Sequence, residues 1–143
     1  MYQSHTTFDI TTPGRGLTEI TPQVARWLAS TGISSGLVTL FIRHTSASLL
    51  IQESADPEVQ HDLERFLARL VPEGDPLFEH VSEGADDMPA HVRAALTAIT
   101  LSVPVVQGRL VLGTWQGIYV FEHRRRGHSR QVVGHVIGEG PGA

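Results

Sequence analysis

Proline divides this chain before any hydrophobic pattern does. Thr21-Pro22, Asp56-Pro57 and Asp87-Met88-Pro89 each set a capping-type residue just ahead of a proline. Proline suits the first turn of a helix, where its missing N–H costs no bond, and it breaks a helix elsewhere. The three sites read as three helix starts. The first helix takes Thr21 as its N-cap, runs to about Ser30 with Val24, Trp27 and Leu28 at helical spacing, and stops at Gly32. The second begins at Asp56-Pro57, carries Val59, Leu63, Phe66, Leu67 and Leu70 as a buried stripe, and ends at Pro72. The third takes Asp87 as N-cap and Met88, Val92, Ala95, Leu96 and Ile99 as its apolar face.

The remaining segments alternate in the manner of strands. Residues 3–10 and 15–20 flank the turn Pro13-Gly14, and residues 36–43 place Val38, Leu40, Ile42 and then His44 on one face. Residues 46–52 continue as a strand or a bulged extension. Beyond the third helix the chain reads as strand at 103–106, 109–113, 115–123 and 130–137, turning at Gln107-Gly108 and Gly127. The pattern predicts an α+β fold: a mainly antiparallel sheet with about three helices inserted in the first two-thirds, residues 1–143 making one domain.

Composition narrows the chemistry. Cysteine is absent, which removes disulfides, thiolate nucleophiles and cysteine-based zinc sites. Every basic residue is arginine, so Schiff-base lysines and a P-loop are excluded as well. The net charge of −4 argues against a nucleic-acid partner. No apolar run spans a bilayer and no signal core opens the chain, so the sequence points to a cytoplasmic protein without a membrane partner.

Histidine, carboxylate and arginine remain. Residues 79–91, E-H-V-S-E-G-A-D-D-M-P-A-H, place His80 and His91 around a helix start, with Glu83, Asp86 and Asp87 between them. The eleven-residue spacing of the histidines does not by itself define a metal site; one of the two aspartates is expected to cap the helix, and the others are available as further or outer ligands. His44, at the end of an apolar row, can be a ligand, a base or a packed histidine. Residues 122–130, E-H-R-R-R-G-H-S-R, gather arginines at a turn. This is either a solvated basic turn or a site for phosphate oxygens built from forked donors. Trp115, between glycines 113 and 117, can be core, a stacking surface or a subunit contact.

The blocks R-H-T-S-A-S-L (43–49), H-D-L-E-R-F (61–66), E-G-A-D-D-M-P-A-H (83–91), G-R-L-V-L-G-T-W-Q-G-I (108–118) and E-H-R-R-R-G-H-S-R (122–130) resemble the YjbQ-like family, labelled secondary thiamine-phosphate synthase. The resemblance runs from about residue 2 to 139. It implies a small α+β domain assembled as a homotrimer, with the site near subunit interfaces. It implies a metal cluster of His44, His80 and His91, with zinc the expected ion and magnesium suited to a diphosphate substrate. It implies that Glu122 and Arg130 lie near that cluster. The reaction would join a hydroxymethylpyrimidine diphosphate to a thiazole phosphate and release pyrophosphate. Catalytic roles would fall to Glu122 and His44, and contact with the phosphorylated small molecule to Arg43, Ser48, Trp115, Gln116, Arg124 and Arg130. Metal-assisted hydrolysis with Glu53 or Glu122 as base, and a non-catalytic trimeric binding module, are the alternatives.

Overall fold

The computed structural model describes residues 1–140. The elements in chain order are β1 (Tyr2–Thr11), β2 (Gly14–Glu19), α1 (Thr21–Thr31), β3 (Ser35–Ile42), β4 (Ala47–Glu53), α2 (Pro57–Leu70), α3 (Asp87–Leu96), β5 (Thr100–Val106), β6 (Arg109–Leu110), β7 (Gln116–Arg126) and β8 (Ser129–Glu139). The α+β reading stands, and every strand pairing is antiparallel. The strands form two sheets: five strands in the order β1-β8-β3-β5-β6 and three in the order β2-β7-β4.

The core lies mainly between these elements and α1. Val38, Leu40 and Ile42 of β3 point inward as their alternation requires, and meet Val132 and Val136 of β8, Ile118 and Val120 of β7, and Val24 and Leu28 of α1. Gln107 (φ 53°) and Gly108 (φ 74°) give the two positive φ values that a tight β5–β6 hairpin needs.

Three of the connections that carry the chain from one sheet to the other are direct: β1 to β2, β3 to β4, and β7 to β8. All three meet at one corner. Glu122 accepts from the Thr12 hydroxyl (2.7 Å) and from Arg130 Nε (2.9 Å), while Arg130 Nη2 donates to Ser46 Oγ (3.0 Å). A side chain at Gly127 would run into the Thr12 carbonyl oxygen, so this turn requires glycine.

The helices differ from expectation in their caps and faces. Ile20, not Thr21, is the N-cap of α1; the Thr21 hydroxyl instead accepts the Ile118 N–H (2.8 Å) and donates to Glu19 (2.9 Å). Asp56 caps α2 as expected, accepting from the Glu58 N–H. The α2 stripe is not buried: Phe66 and Leu70 are 52% and 55% exposed, and no residue of the helix is fully covered. For α3 the inward face is Asp87, Pro89, Ala90, Arg93 and Ala94, whereas Leu96, its last residue, is exposed and Ile99, expected on its apolar face, lies beyond its end and is also exposed. Two alanines let this helix lie close to β4 and β7, and Arg93 is neutralised by Glu64 at 2.7 Å, which is what allows a charged face inward. Asp86 holds the cap position of α3 without a side-chain capping bond, and Asp87 is its first residue.

Candidate functional site

The first turn of α3 faces a polar loop, and three ligand-type atoms converge there. His80, Asp87 and His91 each offer one atom, and these lie within 4.8 Å of one another. His80 Nε2 stands 2.6 Å from Asp87 Oδ2, and His91 Nε2 stands 3.3 Å from the same oxygen. The local cause is helical: Asp87 and His91 are four residues apart, so they share a face. His80 arrives from the loop, its ring 5.5 Å from that of His91.

Hydrogen bonds on the far side of each group fix its direction. His91 Nδ1–H donates to the Thr45 carbonyl (2.8 Å), which leaves Nε2 of the neutral ring as a lone pair aimed at Asp87. Arg124 Nη1 lies 2.9 Å from Asp87 Oδ1, so Oδ2 is the oxygen left for the histidines. A lone pair facing a carboxylate oxygen is repulsive unless a proton or a cation lies between them. Two imidazoles and a carboxylate also form a donor set suited to zinc, whose tetrahedral ligands sit about 3.4 Å apart at bonds of about 2.1 Å. The residues therefore fit a divalent ion.

The electrostatics follow from these contacts. Burial would raise the Asp87 carboxyl, but the hydrogen bond from His80 and the positive groups around it hold it below the usual carboxylate range. The His80 imidazole is raised, first by its hydrogen bond to Asp87. Asp86, despite burial, is lowered to about 2 by Arg124 and by the Arg125 N–H. Two surface depressions flank the cluster. One, of about 320 Å³, is lined by His44, Thr45, His91, Ala94, Ala95 and Ile99. The other, of about 490 Å³, is lined by Leu77, Phe78, Glu79, His80, Met88 and Val92.

The other expected site residues take varied places. His44 borders the first depression but stands outside the three-atom cluster. Its Nε2 accepts the Gln131 N–H (2.8 Å), and burial followed by Arg130 lowers its pKa. Arg43 is exposed beside it. Ser48 is fully buried, bonded to His123 Nε2 (2.8 Å) and Thr97 (2.7 Å), so its hydroxyl orients a core histidine and does not reach a ligand. Glu122 is likewise fully buried. Burial would raise it, but Arg130, Thr12 and the Arg124 N–H hold it low, so it serves as the staple of the corner and is not placed to act as a base. Arg130 pairs with Glu122, and Arg124 with Asp86 and Asp87. Trp115 is 62% exposed, and Gln116 accepts the Gly113 N–H. Both lie at the opposite end of β7 from Arg124, about 26 Å away at 3.3 Å per residue. Glu53, paired with Gln116 in the sheet, shares that remote end.

Asp87, expected as the helix cap or an outer ligand, instead stands between the two histidines, and its four-residue spacing to His91 is the signal for that. His123 gave none, since a histidine within a basic turn looks exposed. It is instead wholly buried, and desolvation lowers it to about 3.

A family model described as UPF0047 protein YjbQ-like matches residues 6–139. The chain belongs to that family. Among its relatives, the UPF0047 protein sll1880 of Synechocystis sp. is 51% identical over 91% of this chain and 88% of its own length. The UPF0047 protein YjbQ of Escherichia coli O157:H7 is 42% identical over 93% and 96%. The family's fold is also shared with solved structures. The conserved hypothetical protein TT1486 of Thermus thermophilus superposes with a TM-score of 0.79 at 36% identity, covering 90% of this chain and 97% of that one. An uncharacterized conserved protein of the yjbq/upf0047 family from Clostridium acetobutylicum superposes with a TM-score of 0.80 at 30% identity, covering 94% and 99%. These names carry no activity. No helix among the described residues is long and apolar enough to cross a membrane.

Proposed function

We propose that this protein is a small-molecule enzyme working through a divalent ion, zinc by preference, held by His80, Asp87 and His91. The supporting observation is the convergence of three ligand-type atoms, with His91 already oriented by Thr45 and Asp87 by Arg124. Such outer partners fix the direction of metal ligands. When bound, the ion supplies Lewis-acid polarisation of a substrate oxygen. His44 accepts at Nε2, so its neutral ring keeps the proton on Nδ1 and serves as a hydrogen-bond or proton donor at the edge of the depression.

The substrate in this reading is a phosphorylated small molecule, whose oxygens suit a divalent ion. Arg43 is the exposed guanidinium beside His44. The reaction placing least demand on the site is metal-assisted hydrolysis of a phosphate ester. Thiamine-phosphate synthesis is the second reading, favoured by the sequence resemblance. It asks for more positive charge at the departing diphosphate, which magnesium and Arg43 would have to supply, because Arg124 and Arg130 are already paired.

Assembly into a homotrimer completes the proposal. At the end of α3 Leu96 is 60% exposed, and Ile99 just beyond it is 44% exposed, an apolar surface that a second copy would cover. The test is a metal analysis of purified protein with a phosphate-ester and thiamine-precursor screen, run on wild type and His91→Ala. Turnover that needs both zinc and His91 supports the reading; equal metal content in the two proteins rejects it.

A further inference from the structure

The arginine run at the end of β7 holds no free anion site, but it grips another part of the same chain. Residues 72–85 cross the surface between α2 and α3 without burying a side chain. Leu77 is 80% exposed and Val81 is 64% exposed. Within this segment the hydrogen bonds are local: Asp75 accepts from the N–H groups of Leu77 (2.9 Å) and Phe78 (3.1 Å). Phe78 is its one half-buried apolar side chain, and so thinly anchored a stretch opens at low free-energy cost.

Its attachments sit at its two ends, and consecutive residues of β7 supply both. At the start, Glu73 accepts from Arg125 Nε (2.8 Å) and from Arg125 Nη2, with Arg15 Nη2 behind it at 3.4 Å. At the end, Arg124 Nη2 donates to the Glu83 carbonyl (3.0 Å). Gly74 (φ 79°) and Gly84 (φ 113°) lie next to these two grips, each in a backbone region open to glycine. His80 hangs between the grips, reaching Asp87 and Glu83 with its side chain.

We infer that residues 72–85 are a hinged strap, clipped at Glu73 by Arg125, whose release lifts His80 away from Asp87 and His91. Arg125 and Glu73 thereby act as positioning residues: neither touches the three-atom cluster, yet the clip decides whether the cluster has its third member. The strap's opening does not depend on the proposed ion, though its consequence for ion binding does.

Hydrogen exchange of the metal-free full chain, read by mass spectrometry, tests the strap. In Glu73→Gln the amides of residues 74–83 are expected to exchange about threefold faster than in wild type, with the sheets unchanged, as loss of a surface ion pair allows. Raised salt is expected to do the same to wild type. Equal exchange in the two proteins, or acceleration spread over the whole chain, would overturn the clip. Zinc is expected to slow exchange at residues 78–83 of wild type, and no slowing would overturn the link between strap and ion. Because the first comparison contains no metal, the strap and the ion site fail by different results.

Discussion

Arg124 holds one carboxylate oxygen of Asp87 at 2.9 Å, and by doing so leaves the other to two histidines. An arginine that looked in the sequence like a ligand for phosphate is thus the support of a candidate metal ligand. Arg124→Gln is expected to weaken zinc binding about tenfold or more, the usual cost of losing an outer partner. Isothermal titration with zinc measures this; unchanged affinity would remove Arg124 from the site.

The corner staple gives a stability prediction. Glu122 and Arg130 are both buried and paired. Glu122→Gln leaves the guanidinium without its countercharge and is expected to cost about 3 kcal/mol, the scale for breaking a buried ion pair from one side. Urea denaturation reads it. A variant as stable as wild type would show that the three sheet crossings do not depend on this pair.

Acid should weaken the fold through His123. Its folded pKa is lowered to about 3 from 6.5, so between those values the unfolded chain binds a proton that the folded chain refuses. Stability therefore falls as pH drops through this window, by roughly 1 kcal/mol per unit. Asp86, lowered to about 2 from 3.8, adds a loss of the same sign only below pH 3.8. Denaturation midpoints at pH 7 and pH 4.5 should accordingly separate in wild type and separate less in His123→Gln. Equal separation in both would mean that the imidazole is not the titrating group.

Much of the fold was legible because its signals are local. Proline marked all three helices to within a residue or two, and the alternation of Val38, Leu40 and Ile42 gave the inward face of β3 correctly. The misreadings arose where a charged residue found a buried partner distant in sequence. The apolar pattern turns Leu96 and Ile99 inward, but the helix ends at Leu96, both residues are exposed, and Arg93 paired with Glu64 lies on the buried side. The division into two sheets was equally hidden, since it depends on strand partners such as β1 with β8. In the site, residue type points to His80 and His91, while Asp87 reads both as a cap and as a further ligand, and Ser48, expected to contact substrate, is buried against His123.

The exposed apolar surface at the end of α3 leads to a prediction about assembly. Leu96→Glu with Ile99→Glu would place charge on that surface without touching the core. Analytical ultracentrifugation should show wild type as a trimer and the double variant as a smaller species with an unchanged circular dichroism spectrum. A trimeric double variant would move the interface elsewhere.

Under the proposal, Asp87 is a metal ligand together with His80 and His91, although its sequence context marks it as a helix cap. Zinc bound per chain after equilibrium dialysis tests it most directly in wild type, Asp87→Asn and His44→Ala. About one ion per chain is expected in wild type, the same in His44→Ala, and occupancy lost in Asp87→Asn. Full occupancy in Asp87→Asn, or loss confined to His44→Ala, would contradict it.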